Sequence, residues 1–329
     1  MSSKLIDAKV LVIGGAGFIG SFVVKELLKH EVGEVVVYDN FARGQKEYLD
    51  EPLQDPRCSL FPIGGDIREI DILNEAMKGK DYVISLAAMW LLHCKDYPRT
   101  AFDVNIAGTF NVLEACVNNN IKKLIWSSSA SVYGDAVELP MTESHPFNNK
   151  NFYGASKIAG EAMATAFNDR YNLSVIGLRY MNVYGPHQDQ TAAYTGVVPI
   201  MLNKIEANES PIINGDGSQA YDFIYVEDVA KCNVDALLSD QEFGMYNVGT
   251  EIQTSIKELC DTILDLKQSD LKVIYKPYSE DDARALVQNR IGSKVKAEKE
   301  IGFKYHFELR EGLQKLIDWR IETGVDEKR

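Results

Sequence analysis

The sequence has little positive charge, and this shortage limits which partners the protein can bind. Its 329 residues include 35 basic and 48 acidic side chains, giving a formal net charge of −13. Such an acidic chain disfavours broad contact with nucleic acid or with an anionic membrane. We therefore expect no nucleic-acid or membrane partner, and any bound phosphate must be held locally.

Cysteine and long apolar runs are also scarce. The five cysteines are widely separated and include no Cys-x-x-Cys pair, so neither a disulfide framework nor a metal site is predicted. Residues 1–10 lack the apolar core of a secretion signal, and no apolar run is long enough to span a bilayer. These observations predict a cytoplasmic protein that holds no metal.

Short β-branched runs alternate with longer helical segments along the first half of the chain. Strands are predicted at residues 10–13, 35–38, 59–63, 82–86, 124–127 and 174–178, and helices at 18–30, 71–77, 98–118 and 153–171. The alternation predicts an α/β fold with a Rossmann-type, doubly wound parallel sheet. Turns and short strands dominate after about Met181, which predicts a smaller, mixed α/β portion on the C-terminal side.

The predicted helix at residues 98–118 is apolar on more than one face. Phe102, Val104, Phe110 and Val117 cannot all point to the sheet if the segment is a regular helix. The surplus apolar surface predicts a homodimer that packs through two helices of each subunit.

Three glycines join the first predicted strand to the first helix. Gly14, Gly17 and Gly20 allow the backbone to approach a diphosphate, which the amides and dipole at the helix start can bind without a lysine. The next strand ends at Asp39, whose carboxylate can accept hydrogen bonds from both adenosine ribose hydroxyls and would repel a 2′-phosphate. The combination predicts NAD, rather than NADP, as the cofactor.

A candidate reactive group begins the helix at residues 153–171. Tyr153 and Lys157 lie one helical turn apart, and an ammonium beside a phenol lowers the pKa of the phenol. Ser127 and Ser129 follow the fifth strand, at the sheet edge where parallel sheets bind ligands. We therefore expect Tyr153 to act as an acid and base.

These motifs resemble those of the extended short-chain dehydrogenases/reductases, specifically the NAD-dependent nucleotide-sugar epimerase/dehydratase family. The resemblance covers nearly the whole chain, through residues 14–20, 39–40, 65–68, 86–88, 104–109, 127–134, 153–157, 179–186, 215–226 and 246–249. It implies that Tyr153 takes the proton from a sugar hydroxyl as hydride passes to NAD. It also implies that Ser129 binds the same oxygen and that Lys157 holds the nicotinamide ribose.

The resemblance implies further contacts with both ligands. Cofactor contacts are expected from Gly14, Gly17, Phe18, Ile19, Asp39, Asn40, Asp66, Ile67, Leu86, Ala87, Ala88, Asn105, Ser127, Tyr153, Lys157 and Tyr180. Substrate contacts are expected from Ser129, Tyr153, Asn182, Val198, Tyr221 and Arg284. Residues 1–181 and 222–248 would then form the NAD-binding domain, and residues 182–221 and 249–329 the nucleotide-sugar-binding portion.

The residues beside Ser129 favour one reaction of the family. Dehydratases of this family carry an Asp-Glu pair after the corresponding serine or threonine, whereas this chain has Ala130 and Ser131. Epimerisation at C4 through a transient 4-keto sugar is therefore expected, on a UDP-hexose, UDP-N-acetylhexosamine or UDP-uronic acid. The alternatives are a decarboxylase or reductase using the same site, or a non-catalytic NAD-binding regulator.

One position departs from the family pattern in a way that affects substrate binding. Tyr221 stands where the family usually has an arginine that binds phosphate, and Arg284 or Arg290 is a candidate replacement. The segment at residues 89–94 is also unusual, and Trp90 and His93 within it are candidates for shaping the sugar pocket or for simple packing.

Replacing Asp39 with serine tests how the cofactor is selected. The Asp39→Ser variant should lose much of its preference for NAD over NADP, because the carboxylate that repels the 2′-phosphate is gone. The dissociation constants of both dinucleotides, measured by titration, give the ratio directly. An unchanged ratio would show that the ribose is recognised elsewhere.

Overall fold

The computed structural model describes residues 3–189, 196–278 and 287–324. The strands are β1 Lys9–Ile13, β2 Glu34–Tyr38, β3 Cys58–Leu60, β4 Tyr82–Ser85, β5 Lys123–Ser129, β6 Val175–Tyr180, β7 Asn182–Tyr184, β8 Ile212–Asn214, β9 Ala220–Tyr221, β10 Phe223–Tyr225, β11 Phe243–Val248, β12 Thr254–Ser255, β13 Ile274–Lys276 and β14 Asn289–Arg290. The helices are α1 Phe18–Leu28, α2 Ile70–Met77, α3 Leu91–Asp96, α4 Pro98–Ala101, α5 Gly108–Asn118, α6 Phe152–Tyr171, α7 Val197–Glu206, α8 Val226–Leu238, α9 Ile256–Leu266, α10 Val295–Ile301 and α11 Leu309–Thr323.

Seven strands form one parallel sheet in the order β11-β6-β5-β4-β1-β2-β3. The chain moves outward from β1 in one direction through β2 and β3, then returns to pair β4 with the other side of β1. This arrangement confirms the predicted doubly wound Rossmann-type sheet. The reversal beside β1 creates the crevice in which such sheets bind ligands.

Alternate residues of the strands supply two separate hydrophobic cores. On one face, Val10 and Val12 pack with Val23 of α1 and Val229 of α8. On the other face, Leu11 and Ile13 belong to the core that includes residues of α2, α5 and α6. Because both faces are covered by helices, the strands are nearly continuous hydrophobic runs rather than alternating ones.

The C-terminal portion has its own small sheets and its own core. Strands β7 and β10 form a parallel pair, β12, β9 and β14 form a three-stranded sheet, and β13 pairs with β8. A third core gathers residues of α7, α9 and α11 around Ile213 and Phe223. This confirms the predicted smaller, mixed α/β portion.

The predicted helix at residues 98–118 is helical throughout but contains a stretch of wider turns. Regular turns in α4 and α5 flank a π-helical stretch, Phe102–Ala107. Within it, Asn105 is 3% exposed, and its side chain accepts a hydrogen bond from the amide of Met89 (2.6 Å) and donates one to the Met89 carbonyl (2.8 Å). We attribute the wider turn to this contact, because it aims Asn105 at the backbone after β4.

The described helices include none with the combination of length and apolar character needed to cross a membrane.

A buried ion pair ties α6 to the sheet. Arg179 of β6 donates to Glu161 of α6 at 2.6 and 2.8 Å, and the two side chains are only 4% and 6% exposed. Ser128 of β5 also donates to Glu161 (2.6 Å), and Arg179 donates to the hydroxyl of Tyr133 (2.7 Å). The network therefore fixes the C-terminal ends of β5 and β6 relative to α6.

Removing one member of this network should lower the free energy of unfolding. The Glu161→Gln variant leaves the Arg179 charge buried without its counterion, and we expect a loss of about 3 kcal/mol in the free energy of unfolding. Urea unfolding provides the measurement. The control is Glu75→Gln, which breaks an exposed pair with Lys78 in an equivalent exchange and should change stability little. Equal effects of the two variants would contradict the role given to the buried network.

Candidate active site

A cleft of about 1120 Å³, including its open mouth, lies at the C-terminal ends of β1, β4, β5 and β6. Ten residues predicted to contact the cofactor line it: Gly14, Gly17, Phe18, Ile19, Leu86, Ala88, Ser127, Tyr153, Lys157 and Tyr180. The fold thus brings together residues from distant parts of the sequence at the crevice beside β1.

The glycine turn is packed so tightly that side chains would not fit. Gly14 has a φ of +77°, and a Cβ added to Gly20 would lie 2.1 Å from the carbonyl oxygen of Gly14. Gly17 precedes α1 without a side-chain cap, and it lines the cleft together with Phe18. The open helix start can therefore receive the diphosphate of a dinucleotide on its amides.

Asp39 is held at the end of β2 by two backbone amides. Its Oδ2 accepts from Ala16 (2.9 Å) and its Oδ1 accepts from Phe41 (2.8 Å). Burial raises the pKa of the Asp39 carboxyl, and both amides oppose that rise. Asp39 is only partly exposed, and these two hydrogen bonds hold its carboxylate in place before a ribose binds. The glycine turn and the Asp39 carboxylate are therefore placed to bind the diphosphate and the adenosine ribose, respectively.

Three further residues expected to contact the cofactor are Asn40, Asp66 and Ile67. Asn40 is exposed and contacts the Asp66 carboxylate at 3.4 Å. Asp66 also accepts from the backbone and guanidinium of Arg68, which holds the pKa of its carboxyl below the ordinary value. Ile67 is 3% exposed and packs in the second core.

Tyr153 and Lys157 line the cleft and Ser129 hydrogen-bonds with Tyr153, because α6 starts against the end of β5. The Asn151 side chain accepts from the amide of Gly154 (2.8 Å) and starts the helix. A Cβ on Gly154 would lie 2.3 Å from the carbonyl oxygen of Ser131, so only glycine permits this approach.

Lys157 is 3% exposed and joins α6 to the adjacent strand. Its Nζ donates to the carbonyl oxygen of Ser127 (2.6 Å) and lies 5.7 Å from the centre of the Tyr153 ring. Burial lowers the pKa of the Lys157 ammonium to about 8. The ammonium form therefore still predominates at neutral pH and is lost as the pH rises above about 8.

The expectation that the pKa of Tyr153 is lowered is wrong for the protein without ligands. Burial raises the pKa of the phenol to about 12. A hydrogen bond with Ser129 and the positive charge of Arg290 oppose the rise, whereas Cys94 adds to it. Desolvation outweighs the neighbouring cations because the phenolate would lose its hydration.

Two further residues expected to contact the cofactor already use their polar groups within the protein. Asn105 binds Met89 and donates to Ser156 (3.1 Å). The hydroxyl of Tyr180 donates to Asn233 (2.9 Å) at the floor of the cleft. Ala87 lies against the glycine turn, where its amide nitrogen would be 2.8 Å from a Cβ on Gly14.

The residues expected to contact substrate are distributed over the C-terminal portion. Asn182 donates through its side chain to the carbonyl of Asp222 (3.1 Å), and Val198 is 2% exposed in the third core. The Tyr221 hydroxyl donates to the carbonyl of Val287 (2.8 Å). Arg284 lies outside the described residues.

Sequence reasoning missed several residues that cover the cleft near the glycine turn. Arg43 lies 4.2 Å from the ring centre of Trp90 and pairs with Asp189 at 2.9 Å. His187 stacks on Tyr48 with ring centres 4.0 Å apart. Only tertiary contact identifies these residues, because they lie outside the glycine and tyrosine motifs.

Burial also sets the charge of His187. The pKa of its imidazole is lowered to about 4, mainly by desolvation. At neutral pH the ring is therefore uncharged, and its Nδ1 lies 2.8 Å from the Ser21 hydroxyl of α1. The contact joins the segment after β7 to the helix that begins at the glycine turn.

In the ranges that the structure describes, no three His, Cys, Asp or Glu side chains are arranged to hold a metal ion.

Comparison with known proteins gives consistent matches over the chain. The NAD dependent epimerase/dehydratase family matches residues 10–249. A putative UDP-glucose 4-epimerase from Methanocaldococcus jannaschii is 36% identical over 314 residues, covering 94% of this chain and 97% of that protein.

Solved structures show the same similarity. The UDP-N-acetylglucosamine 4-epimerase from Methanobrevibacter ruminantium M1, in complex with UDP-N-acetylmuramic acid, is 34% identical with a TM-score of 0.90, covering 97% of this chain and 99% of that one. A mutant UDP-glucuronic acid 4-epimerase from Bacillus cereus, bound to NAD and a fluorinated UDP-glucuronic acid, is 25% identical with a TM-score of 0.86, covering 96% and 99%.

These matches confirm the resemblance inferred from the motifs and the prediction of NAD as cofactor. With a family match across most of the chain and a cleft built at the crevice beside β1, the protein belongs to the NAD dependent epimerase/dehydratase family.

Proposed function

We propose that the protein epimerises a UDP-linked sugar at C4 and retains NAD through each catalytic cycle. The observation that carries the proposal is the grouping of Ser129 and Lys157 around Tyr153, which lines the cleft. Ala130 and Ser131 follow Ser129, so neither of these two positions supplies the acid and base that elimination of water requires. Epimerisation needs only one proton-transfer group and a reversible hydride acceptor.

Tyr153 transfers the proton of the C4 hydroxyl. Its raised pKa makes the neutral phenol the resting form, so it can accept that proton only when the site stabilises the phenolate. Ser129 supplies a hydrogen bond that does so, and the Lys157 ammonium lies 5.7 Å from the ring centre on the same helix. NAD, which the glycine turn and Asp39 would hold, would supply a reversible hydride acceptor for C4 of the sugar.

Separate parts of the chain hold the two ligands in this proposal. Residues 1–181 and 222–248 carry the glycine turn and Asp39, and we assign them to NAD. Residues 182–221 and 249–329 carry Asn182, Val198 and Tyr221, and we assign them to the nucleotide sugar. The UDP-sugar relatives support the choice of nucleotide.

We also propose that the protein is a homodimer in the cytoplasm. Phe102, Phe110, Phe152 and Tyr171 are 43–58% exposed on the π-helical stretch and on helices α5 and α6. A second copy of this surface would cover those rings, as isologous dimers do. The five cysteines are unpaired and buried, which suits a reducing compartment.

Removing one hydroxyl tests the role of Tyr153. The Tyr153→Phe variant should lose at least about 100-fold in turnover, because the proton-transfer group is gone. Bound NAD, released by denaturation and measured by absorbance, should stay near the wild-type content. Tyr171→Phe removes an exposed hydroxyl from the same helix and should keep full turnover. Turnover by Tyr153→Phe at the wild-type rate would refute the assignment.

A panel of substrates tests the reaction itself. The purified protein, without added cofactor, is incubated with UDP-glucose, UDP-galactose, their N-acetyl forms and both UDP-uronic acids, and NMR identifies the products. Conversion of any one to its C4 epimer is the expected result. A UDP-pentose would instead identify a decarboxylase, and products formed only with added reduced cofactor would identify a reductase. No conversion of any sugar, with NAD supplied, would favour a regulator.

The dimer has its own measurement. Size-exclusion chromatography with light scattering should give twice the mass of one chain at micromolar concentration. The Phe110→Lys variant places a charge on the exposed apolar surface and should shift the mass toward the monomer. A monomeric wild type at that concentration would exclude the proposed dimer.

A further inference from the structure

Arg290 lies beside the position that departs from the family pattern. Strand β14 runs parallel to β9, and Arg290 is in register with Tyr221. The backbone carbonyl of Arg290 accepts from the amide of Asp222 (3.1 Å), which fixes this register next to the cleft. A cation is therefore held directly next to Tyr221 by the sheet rather than by a flexible loop.

The guanidinium of Arg290 has no counterion among the described residues. Its Nε is buried and makes no hydrogen bond within the part of the chain that the structure describes. Arg43, Arg57 and Arg68, by contrast, each pair with an aspartate. A buried charge is costly unless it is paired, so the position of Arg290 suits an anion that arrives from outside.

The groups that surround Arg290 show where that anion would bind. Tyr153, Tyr221 and Asp135 are the titratable groups whose charges act on it. Asp135 accepts from the amide of Gln288 (3.0 Å) and forms no ion pair with Arg290 in the described ranges. Because Tyr153 acts on the sugar in the proposed reaction, the free guanidinium lies on the sugar side of the cleft.

Tyr221 cannot bind an anion in the way that Arg290 can. Its hydroxyl donates to the carbonyl of Val287, so its one proton is already used to hold the segment that leads into β14. A phenol also carries no charge at neutral pH, whereas a guanidinium matches two oxygens of a phosphate or carboxylate at once. Tyr221, which stands where the family usually has an arginine, thus holds the segment that leads to Arg290 rather than binding the anion.

We propose that Arg290 binds an anionic oxygen of the nucleotide sugar beside Tyr153 and determines which sugar nucleotides the site accepts. The inference rests on the proposed function, since it takes a nucleotide sugar as the ligand. Two groups of such a ligand have the required chemistry: the diphosphate, and the carboxylate of a uronic acid. The experiment distinguishes them.

The same cation affects the chemistry of Tyr153. The positive charge of Arg290 lowers the pKa of the phenol, while Cys94 raises it and Ser129 lowers it. Lys157 lies 5.7 Å from the ring centre and is unchanged in every variant considered below. Loss of Arg290 should therefore raise the pKa of Tyr153, and the limb of the kcat profile that rises with pH should move to higher pH.

The test compares Arg290→Gln and Arg290→Lys with the wild type. Dissociation constants are measured for UDP, UDP-glucose and UDP-glucuronate, together with the kcat profile from pH 6 to the highest pH at which the wild type stays folded, for whichever sugar is converted. Arg310→Gln is the control, because it removes the same charge from an exposed pair with Asp265. NAD content and circular dichroism confirm that each variant is folded.

We expect Arg290→Gln to lose about 10-fold or more in affinity, the value of a charge-assisted hydrogen bond. Equal loss for all three ligands identifies the diphosphate, and loss confined to UDP-glucuronate identifies the carboxylate. Arg290→Lys should keep the wild-type pH profile and recover part of the affinity, since it retains the charge without the planar fork. If Arg290→Gln fails to fold, Arg290→Lys must still show a partial loss of affinity.

Affinities and a pH profile no different from those of Arg310→Gln would overturn the inference. The role of Arg290 and the proposed epimerase activity can be refuted independently of each other. A wild type that binds UDP-sugars but converts none refutes only the epimerase, whereas conversion unaffected by Arg290→Gln refutes only the role of this arginine.

Discussion

The hydrogen bond from Lys157 to the carbonyl oxygen of Ser127 is the contact on which the site depends. It joins α6 to the end of β5, so the residues contributed by a helix and by a strand keep one geometry. The close approach of Gly154 to Ser131 and the buried pair of Glu161 with Arg179 support the same junction. A shift of α6 along the sheet would separate Tyr153 from Ser129 and break the buried ion pair at once.

The protein can bind anionic ligands although it carries little positive charge. Backbone amides at the start of α1 can take the diphosphate of the cofactor, so no cation is needed there. We propose that Asp39 then selects the dinucleotide by repulsion as well as by hydrogen bonding. On the substrate side the fold retains one guanidinium without a counterion in the described part of the chain, and a chain with a net charge of −13 can place its attraction for anions at that point.

Much of the fold follows from local patterns. The glycine turn, the Tyr153 and Lys157 spacing and the buried strands predicted the parallel sheet, the cofactor and the family, because each pattern reports a local requirement of backbone or side chain. The helical segment at residues 98–118 was predicted with its observed bounds, whereas the π-helical stretch inside it, where Asn105 contacts Met89, was not predicted. The lowered pKa expected for Tyr153 also failed, because burial depends on neighbours distant in sequence.

The sequence by itself determined the sheet and the cofactor class, since these depend on residues close together along the chain. Only the tertiary structure decided that Arg290 stands in register with Tyr221, because β14 and β9 are far apart in sequence and meet by strand pairing. It also decided that Arg43, Trp90 and Asp189 cover the cleft together. Electrostatic balance in a buried site is a sum over neighbours in space, and no local pattern contains that sum.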